Sequence, residues 1–272
     1  MSLFSMLLAT VMVIGLLMLL LWTVSLPYKD ASLVDRFWGL GFVLVVWVRF
    51  TLYAVNHEPQ SLLLPVLVTL WGLRLSGYLT WRNWGQSEDF RYRTMRERHG
   101  ARFPWVSLLT VFTLQGVVMW VVALPLVLRQ DAPLDWNLRL IAGVLLWIIG
   151  FAFESIGDFQ LARFKSQSEN QGQVMDRGLW RFTRHPNYFG NALVWWGLTI
   201  VALTGIEQSW ILISPAVMTL CLLYVSGVPM LESTLAKRTV GYRQYIQRTS
   251  RFLPWPPRSN QDHLASRSTE TP

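Results

Sequence analysis

The residues best suited to chemistry fall in three stretches. The first, residues 77–100, reads GYLTWRNWGQSEDFRYRTMRERHG. In it Arg82, Arg91, Arg93, Arg96 and Arg98 alternate with Glu88, Asp89 and Glu97, and with Tyr78, Trp81, Trp84 and Tyr92. Cations alone would suit anionic lipid headgroups. The interspersed acids weaken that reading, and guanidinium groups beside aromatic faces suit a planar, phosphate-bearing ligand better.

The second stretch, residues 153–191, begins with Glu154 and Asp158, four apart and so on one face of a helix. Two carboxylates at a membrane boundary need cationic or hydrogen-bonding partners, and Arg163 and Lys165 follow closely. The stretch ends in GLWRFTRHPNYFGN. Pro186 fits the first turn of a helix, whose free N–H groups and positive dipole end attract anions. Arg184 and His185 stand at that mouth, with Asn187 and Tyr188 just inside. His185 reads equally as a cap and as a ligand contact. In the third stretch, residues 231–257, Tyr242, Tyr245 and Arg248 share roughly one helical face ahead of a proline-rich stop, and Glu232 precedes them. Each stretch also has a plainer reading: a juxtamembrane helix on headgroups, a snorkelling boundary helix, an aromatic anchor, or an amphipathic surface helix.

The elements that must position these residues are apolar. The chain has 272 residues, 52% of them hydrophobic and 15% charged, with 15 Trp, the composition of a polytopic membrane protein. Seven apolar runs approach spanning length, near residues 3–26, 37–55, 61–79, 105–128, 138–153, 187–203 and 210–228. The fifth is short and should continue as helix through Glu154 and Asp158. The first lacks a basic leader and a small-residue cleavage site, so a retained helix is expected. Arg49 and Arg74 fall inside the second and third runs and should pair or snorkel. With seven spans, twenty Lys and Arg lie in the loops and tail of one side and two on the other. The positive-inside bias puts the N-terminus outside and the C-terminus in the cytosol. The formal charge of +8 is distributed in these loops and forms no nucleic-acid patch. The lone Cys221 excludes an intrachain disulfide, and no His or Cys stands at metal-ligand spacing with the carboxylates. The reading is an all-α integral membrane domain over residues 1–257, without internal repeats, and a disordered tail over 258–272.

The stretches RGLWRFTRHPNYFGN, GDFQLARFK and EDFRYRTMR, with the Tyr/Arg tail ending in Pro, resemble the steroid 5-alpha-reductase family, in particular its bacterial membrane branch. The resemblance covers most of the chain and is strongest over residues 78–257. It implies seven membrane helices, a multi-pass protein of the bacterial inner membrane, and NADPH bound from the cytosol. The implied reaction is reduction of a C=C bond conjugated to a carbonyl, in a lipophilic substrate that enters from the bilayer. Asp158 and Asn187 match two polar residues of the family's NADPH pocket. Lys165 stands at a basic position, Tyr188 and Trp195 match the pattern NYFG…W, and Tyr242, Tyr245 and Arg248 match by pattern. Arg82, Arg91, Tyr92, Arg163, Arg184 and His185 complete the implied cofactor set. Asn191 departs from the Glu usual after NYFG. The family polarises its carbonyl with a Glu in span two and a Tyr in span three. Tyr78 can stand for the Tyr, whereas span two holds no Glu and Asp35 is the nearest acid. Tyr78 and Asp35 are therefore the implied catalytic pair, Tyr78 donating to the developing enolate oxygen.

RHPNY, Glu232 and YRQY also resemble S-adenosylmethionine-dependent membrane methyltransferases of the isoprenylcysteine and phospholipid type. That reading makes the many arginines harder to explain, because the cofactor is smaller and net positive. A third reading is a non-enzymatic lipid-binding protein, in which the charges meet membrane lipids and Asp158 and Asn187 are dispensable.

Overall fold

The computed structural model describes residues 3–53, 62–128, 136–225, 232, 239 and 241–258. The described residues are helical apart from loops and one isolated bridge, between Thr183 and Ser250. The final residues of the second and seventh runs, the first residue of the third, and 259–272 of the tail lie outside them. The chain divides into two compact units, Met1–Gly143 with Leu198–Val217, and Val144–Gly197 with Met218–Pro272.

In the first unit, α1 (Leu3–Tyr28) carries no charged residue, and large apolar side chains such as Phe4 and Leu16 are exposed, as a lipid-facing helix requires. After a short α2 (Leu33–Arg36), α3 (Trp38–Tyr53) packs on α4 (Leu63–Arg82). Gly39 and Gly72 set that crossing: a Cβ on Gly39 would stand 2.5 Å from the Gly72 carbonyl oxygen, and one on Gly72 2.6 Å from that of Gly39. Around it Phe42, Val45, Val46, Val68 and Trp71 are buried. Polar bonds fix the register, from the Trp47 indole to the Thr69 hydroxyl (2.9 Å) and from the Leu40 amide to Ser76 Oγ (3.1 Å).

The polar α5 (Phe90–His99) leads through residues 100–102 into α6 (Phe103–Ser107), a π-helical stretch over 108–113, and α7 (Leu114–Val122). The fourth run thus breaks at Ala123 and resumes as α8 (Leu124–Leu128), because Pro125 has no N–H to continue the helical ladder. α9 extends over Leu138–Lys165 and lies in the second unit from Val144 on. At about 1.5 Å per residue it is about 42 Å long, well beyond the roughly 30 Å hydrocarbon core. Its last turns carry Glu154, Asp158, Arg163 and Lys165, as expected for the fifth run. α10 (Pro186–Ala202) crosses α9 on glycines again: a Cβ on Gly150 would lie 2.6 Å from the Gly190 carbonyl oxygen and the Val194 nitrogen. α11 (Ile213–Leu220) follows a 3-10 stretch, and α12 (Tyr242–Arg248) starts at Gly241, whose φ of +80° suits glycine.

Five of these helical runs are long and apolar enough to cross a bilayer: Leu3–Tyr28, Leu63–Arg82, Phe90–Val122, Leu138–Lys165 and Ile206–Val225. The chain is therefore an all-helical, multi-pass membrane protein. The second run appears as a shorter apolar helix, Trp38–Leu52, and the sixth as the 17-residue α10.

Candidate functional site

Each unit holds a polar cluster built from residues far apart in sequence. In the first unit, the segment after α1 is tied to the segment that starts α5. The Ala31 amide donates to Glu88 Oε1 (2.8 Å), and the Asp89 amide donates to Ser32 Oγ (3.0 Å). Asp89 caps α5, accepting from the Arg91 amide at 3.0 Å. Burial pushes its carboxyl up, but the hydrogen bonds from Arg91 outweigh that and hold it below its usual value. Arg96 donates to both oxygens of Glu88 and lies over the Phe103 ring, 4.1 Å from its centroid.

Asp35 is the centre of this cluster. Its carboxylate accepts from Arg91 Nη2 (2.8 Å), from the Tyr92 hydroxyl (3.1 Å) and from Gln115 Nε2 (3.0 Å). The structure thus joins Asp35, Arg91 and Tyr92, which the sequence placed in separate roles, and adds Gln115. Tyr78 is not among the partners of Asp35. It lies half-buried on α4, 6.0 Å from the Trp81 ring and below the Arg82 guanidinium. Beside it a cavity of about 500 Å³ is lined by Leu40, Leu73, Ser76, Gly77, Thr80, Trp81 and Trp84.

In the second unit, residues 178–185 dock on α9. The Trp180 indole donates to the Gly157 carbonyl (3.0 Å) and the Leu179 amide to Gln160 Oε1 (3.0 Å). Asn187 Nδ2 donates to Asp158 Oδ1 (3.1 Å), and one turn on Asn191 Nδ2 donates to Glu154 Oε1 (3.3 Å). The two acids of α9 thus face two amides of α10, and both acids are buried, Glu154 to 2% and Asp158 to 4% exposure. Asn191 therefore has a partner in Glu154. Trp195, a further turn along, is wholly buried.

Arg184 and His185 are buried as well. Arg184 Nε donates to Glu232 Oε1 (2.7 Å), and Arg184 Nη1 donates to the carbonyls of Ile246 (3.0 Å) and Thr249 (2.7 Å). His185 Nε2 lies 3.1 Å from the same Glu232 oxygen, and its ring stacks on Tyr188 at 5.4 Å. With Glu232 ionised, that nitrogen carries the hydrogen and donates. Burial would raise the Glu232 carboxyl, but hydrogen bonds from His185 and Arg184 push it down to about 2. Burial lowers His185, the more strongly because Arg184 and Arg251 are near, while Glu232 works against it. The anion attracted to this helix mouth is thus one of the chain's own carboxylates.

Tyr242 and Tyr245 are buried, and Tyr245 donates its hydroxyl to the Trp180 carbonyl. Burial and the Glu232 charge push Tyr242 up to about 12. Arg248 is exposed and pairs with Asp176. Arg82, Arg163 and Lys165 are exposed at helix ends. Among the described residues no group of three His, Cys, Asp or Glu could hold a metal ion. Sequence reasoning left Gln115, Glu88, Ser32 and Asp176 out of the site, and Glu232 out of the cofactor set. For Glu232 a signal existed, in the methyltransferase-like pattern of RHPNY, Glu and YRQY.

The chain belongs to the family described as a protein of unknown function (DUF1295), which it matches over residues 21–249. It is 24% identical to an uncharacterised protein of Schizosaccharomyces pombe, over 86% of this chain and 75% of that one. No solved structure matches it significantly.

Proposed function

We propose that the protein is a seven-span, membrane-embedded NADPH-dependent reductase of the steroid 5-alpha-reductase type. Its N-terminus would lie outside and its C-terminus in the cytosol of a bacterial inner membrane. The observation that carries this reading is the Asp158–Asn187 pair, an acid and an amide hydrogen-bonded at the entry of α10. An acid–amide pair offers acceptors and donors of the kind that read ribose hydroxyls and a carboxamide. The arginines around it supply charge for a ligand with several phosphates. NADPH, when bound, supplies the hydride that adds to the β-carbon of an enone in a steroid-like or other lipidic substrate. By the resemblance, Tyr78 would donate to the enolate oxygen. Asp35, occupied by Arg91, Tyr92 and Gln115, would hold that cluster in position rather than donate a proton.

A second reading has its own observation. Glu232 joins Arg184 and His185, which is the residue set of the methyltransferase-like pattern. Thermal shift of the purified protein separates the two. The reductase reading expects stabilisation by NADPH and its loss in Asn187→Ala, with expression intact. A shift with S-adenosylmethionine and none with NADPH would overturn it in favour of the methyltransferase.

A further inference from the structure

The segment that follows α12 is held down as a strap. The Arg184 amide donates to the Ser250 carbonyl (2.9 Å), the Trp255 amide to the Phe182 carbonyl (2.9 Å) and the Arg258 amide to the Arg248 carbonyl (2.9 Å). The Thr183 hydroxyl donates to the Phe252 carbonyl (2.8 Å). The strap encloses a half-open cavity of about 390 Å³, with Arg184 in its wall, Arg248, Arg251 and Arg258 around it, and an exposed Trp255.

Bringing four guanidinium groups to one cavity costs free energy unless anions balance them. Two of the charges are met within the protein, Arg184 by Glu232 and Arg248 by Asp176. Among the described residues, Arg251 and Arg258 have no carboxylate partner. Arg251 spends one N–H on the Leu223 carbonyl (3.0 Å) and lies over the Tyr224 ring, 5.5 Å from its centroid. The carbonyls at the end of α12 would repel an anion, but they are already occupied. Those of Ile246 and Thr249 accept from Arg184, and that of Arg248 accepts from the Arg258 amide. Among the described residues, two guanidinium charges are thus left without a carboxylate, and a phosphate monoester carries about 1.5 to 2 negative charges at neutral pH. Guanidinium forks also match the oxygen spacing of phosphate.

We propose that this cavity is a phosphate-binding site, in which Arg251 and Arg258 hold the phosphate group of a ligand and Trp255 flanks the remainder. It goes beyond the reductase reading, since a lipid headgroup phosphate would satisfy the same chemistry as a nucleotide phosphate. The test uses the full chain in phosphatidylcholine nanodiscs and follows its melting temperature with inorganic phosphate. Phosphate should raise the melting temperature of the wild type. The rise should vanish in Arg258→Ala, since among the described residues only the Arg258 backbone, not its side chain, holds the strap, and survive in part in Arg258→Lys. Arg251→Lys keeps the charge but loses the fork, so its rise should also be reduced.

Two further arms identify the source. If NADPH binds at least tenfold more weakly to Arg258→Ala than to wild type, the phosphate is a nucleotide's. If phosphatidylglycerol in the nanodisc replaces the effect of inorganic phosphate in wild type but not in Arg258→Ala, the phosphate is a headgroup's. A phosphate response absent from wild type, or equal in wild type and Arg258→Ala, overturns the site. NADPH binding untouched by Arg258→Ala alongside such a result would leave the reductase reading standing. Arg258-dependent phosphate binding without any NADPH binding would sink the reductase reading and keep the site.

Discussion

At the scale of single residues, the two polar clusters are charge networks, and each has one carboxylate whose removal tests it. Glu232 neutralises Arg184, whose side chain is only 8% exposed. Glu232→Gln leaves a buried guanidinium without its counter-charge, a change expected to cost about 2 kcal/mol once the partial exposure of the carboxylate is allowed for. A melting curve in detergent measures it, and an unchanged midpoint would show that the network is decorative. The same network predicts an acid-sensitive protein. Glu232 titrates near 4.5 unfolded and about 2 folded, so between those values the unfolded chain binds more protons and acid weakens the fold. His185 is lowered from 6.5, so its contribution is complete above that pH and is lost below it. Both effects have one sign: stability should fall from about pH 6.5 downward, and Glu232→Gln should flatten the part of the curve below about pH 5. In the other cluster Asp35→Asn leaves Arg91 with Asp89 alone. A loss of about 1 kcal/mol is expected, smaller because the pair is part-exposed. The sequence made Arg184 and His185 legible as a site seeking an anion, because helix-end physics is local. Spacing alone could not place Glu232 there, 48 residues beyond Arg184 and past α10 and α11; its signal lay in the methyltransferase-like pattern of RHPNY, Glu and YRQY. The Asp35–Gln115 contact was equally beyond the reach of spacing.

At the scale of elements, apolar length located most helices within a few residues, and the continuation of α9 past Phe153 followed from the shortness of its apolar run. What length could not show is how closely helices approach. In lipid, association depends on close packing, since tails are as apolar as side chains, so small residues at crossings matter. Gly39 with Gly72 and Gly150 with Gly190 have no periodicity that a hydrophobic pattern would register. Gly150→Leu should force α9 off α10, because the added atoms would meet the Gly190 carbonyl and the Val194 nitrogen, both backbone. Because backbone cannot rotate aside, a loss above about 2 kcal/mol is expected, within the range for overpacking. Gly77→Ala is the control, having open space around its Cβ, and should melt like wild type. Equal stability of Gly150→Leu and Gly77→Ala would refute the crossing. This variant also separates α9 from the Asn187 and Asn191 amides, so ligand stabilisation should fall with it.

For the whole molecule the open quantity is the number of crossings, and it decides where the polar clusters face. Five spans and seven spans are both odd, so a reporter on the C-terminus reads the same for either. The loops between do not. If α3 and α10 fail to cross, the 83–89 and 166–185 segments emerge on the side of the N-terminus. If both cross, these segments lie on the opposite side, with the C-terminus. α3 and α10 are 16 and 17 residues long. At about 1.5 Å per residue each is about 25 Å, a little short of the hydrocarbon core, a mismatch that local thinning of the bilayer accommodates at modest cost. Five spans carry a larger penalty in charge. They would put Arg177, Arg181 and Arg184 outside, against the bias that places Lys and Arg in the cytosol. We therefore expect seven crossings. Single cysteines at Ser87 and Gln171, in a Cys221→Ala background, should resist a membrane-impermeant thiol reagent in intact cells and react after permeabilisation. A cysteine at Asn56 should react in intact cells. Labelling of Ser87→Cys and Gln171→Cys from outside would reduce the protein to five crossings. It would also put residues 182–184 across the membrane from the strap residues they bond, and so overturn the strap and the phosphate site it encloses.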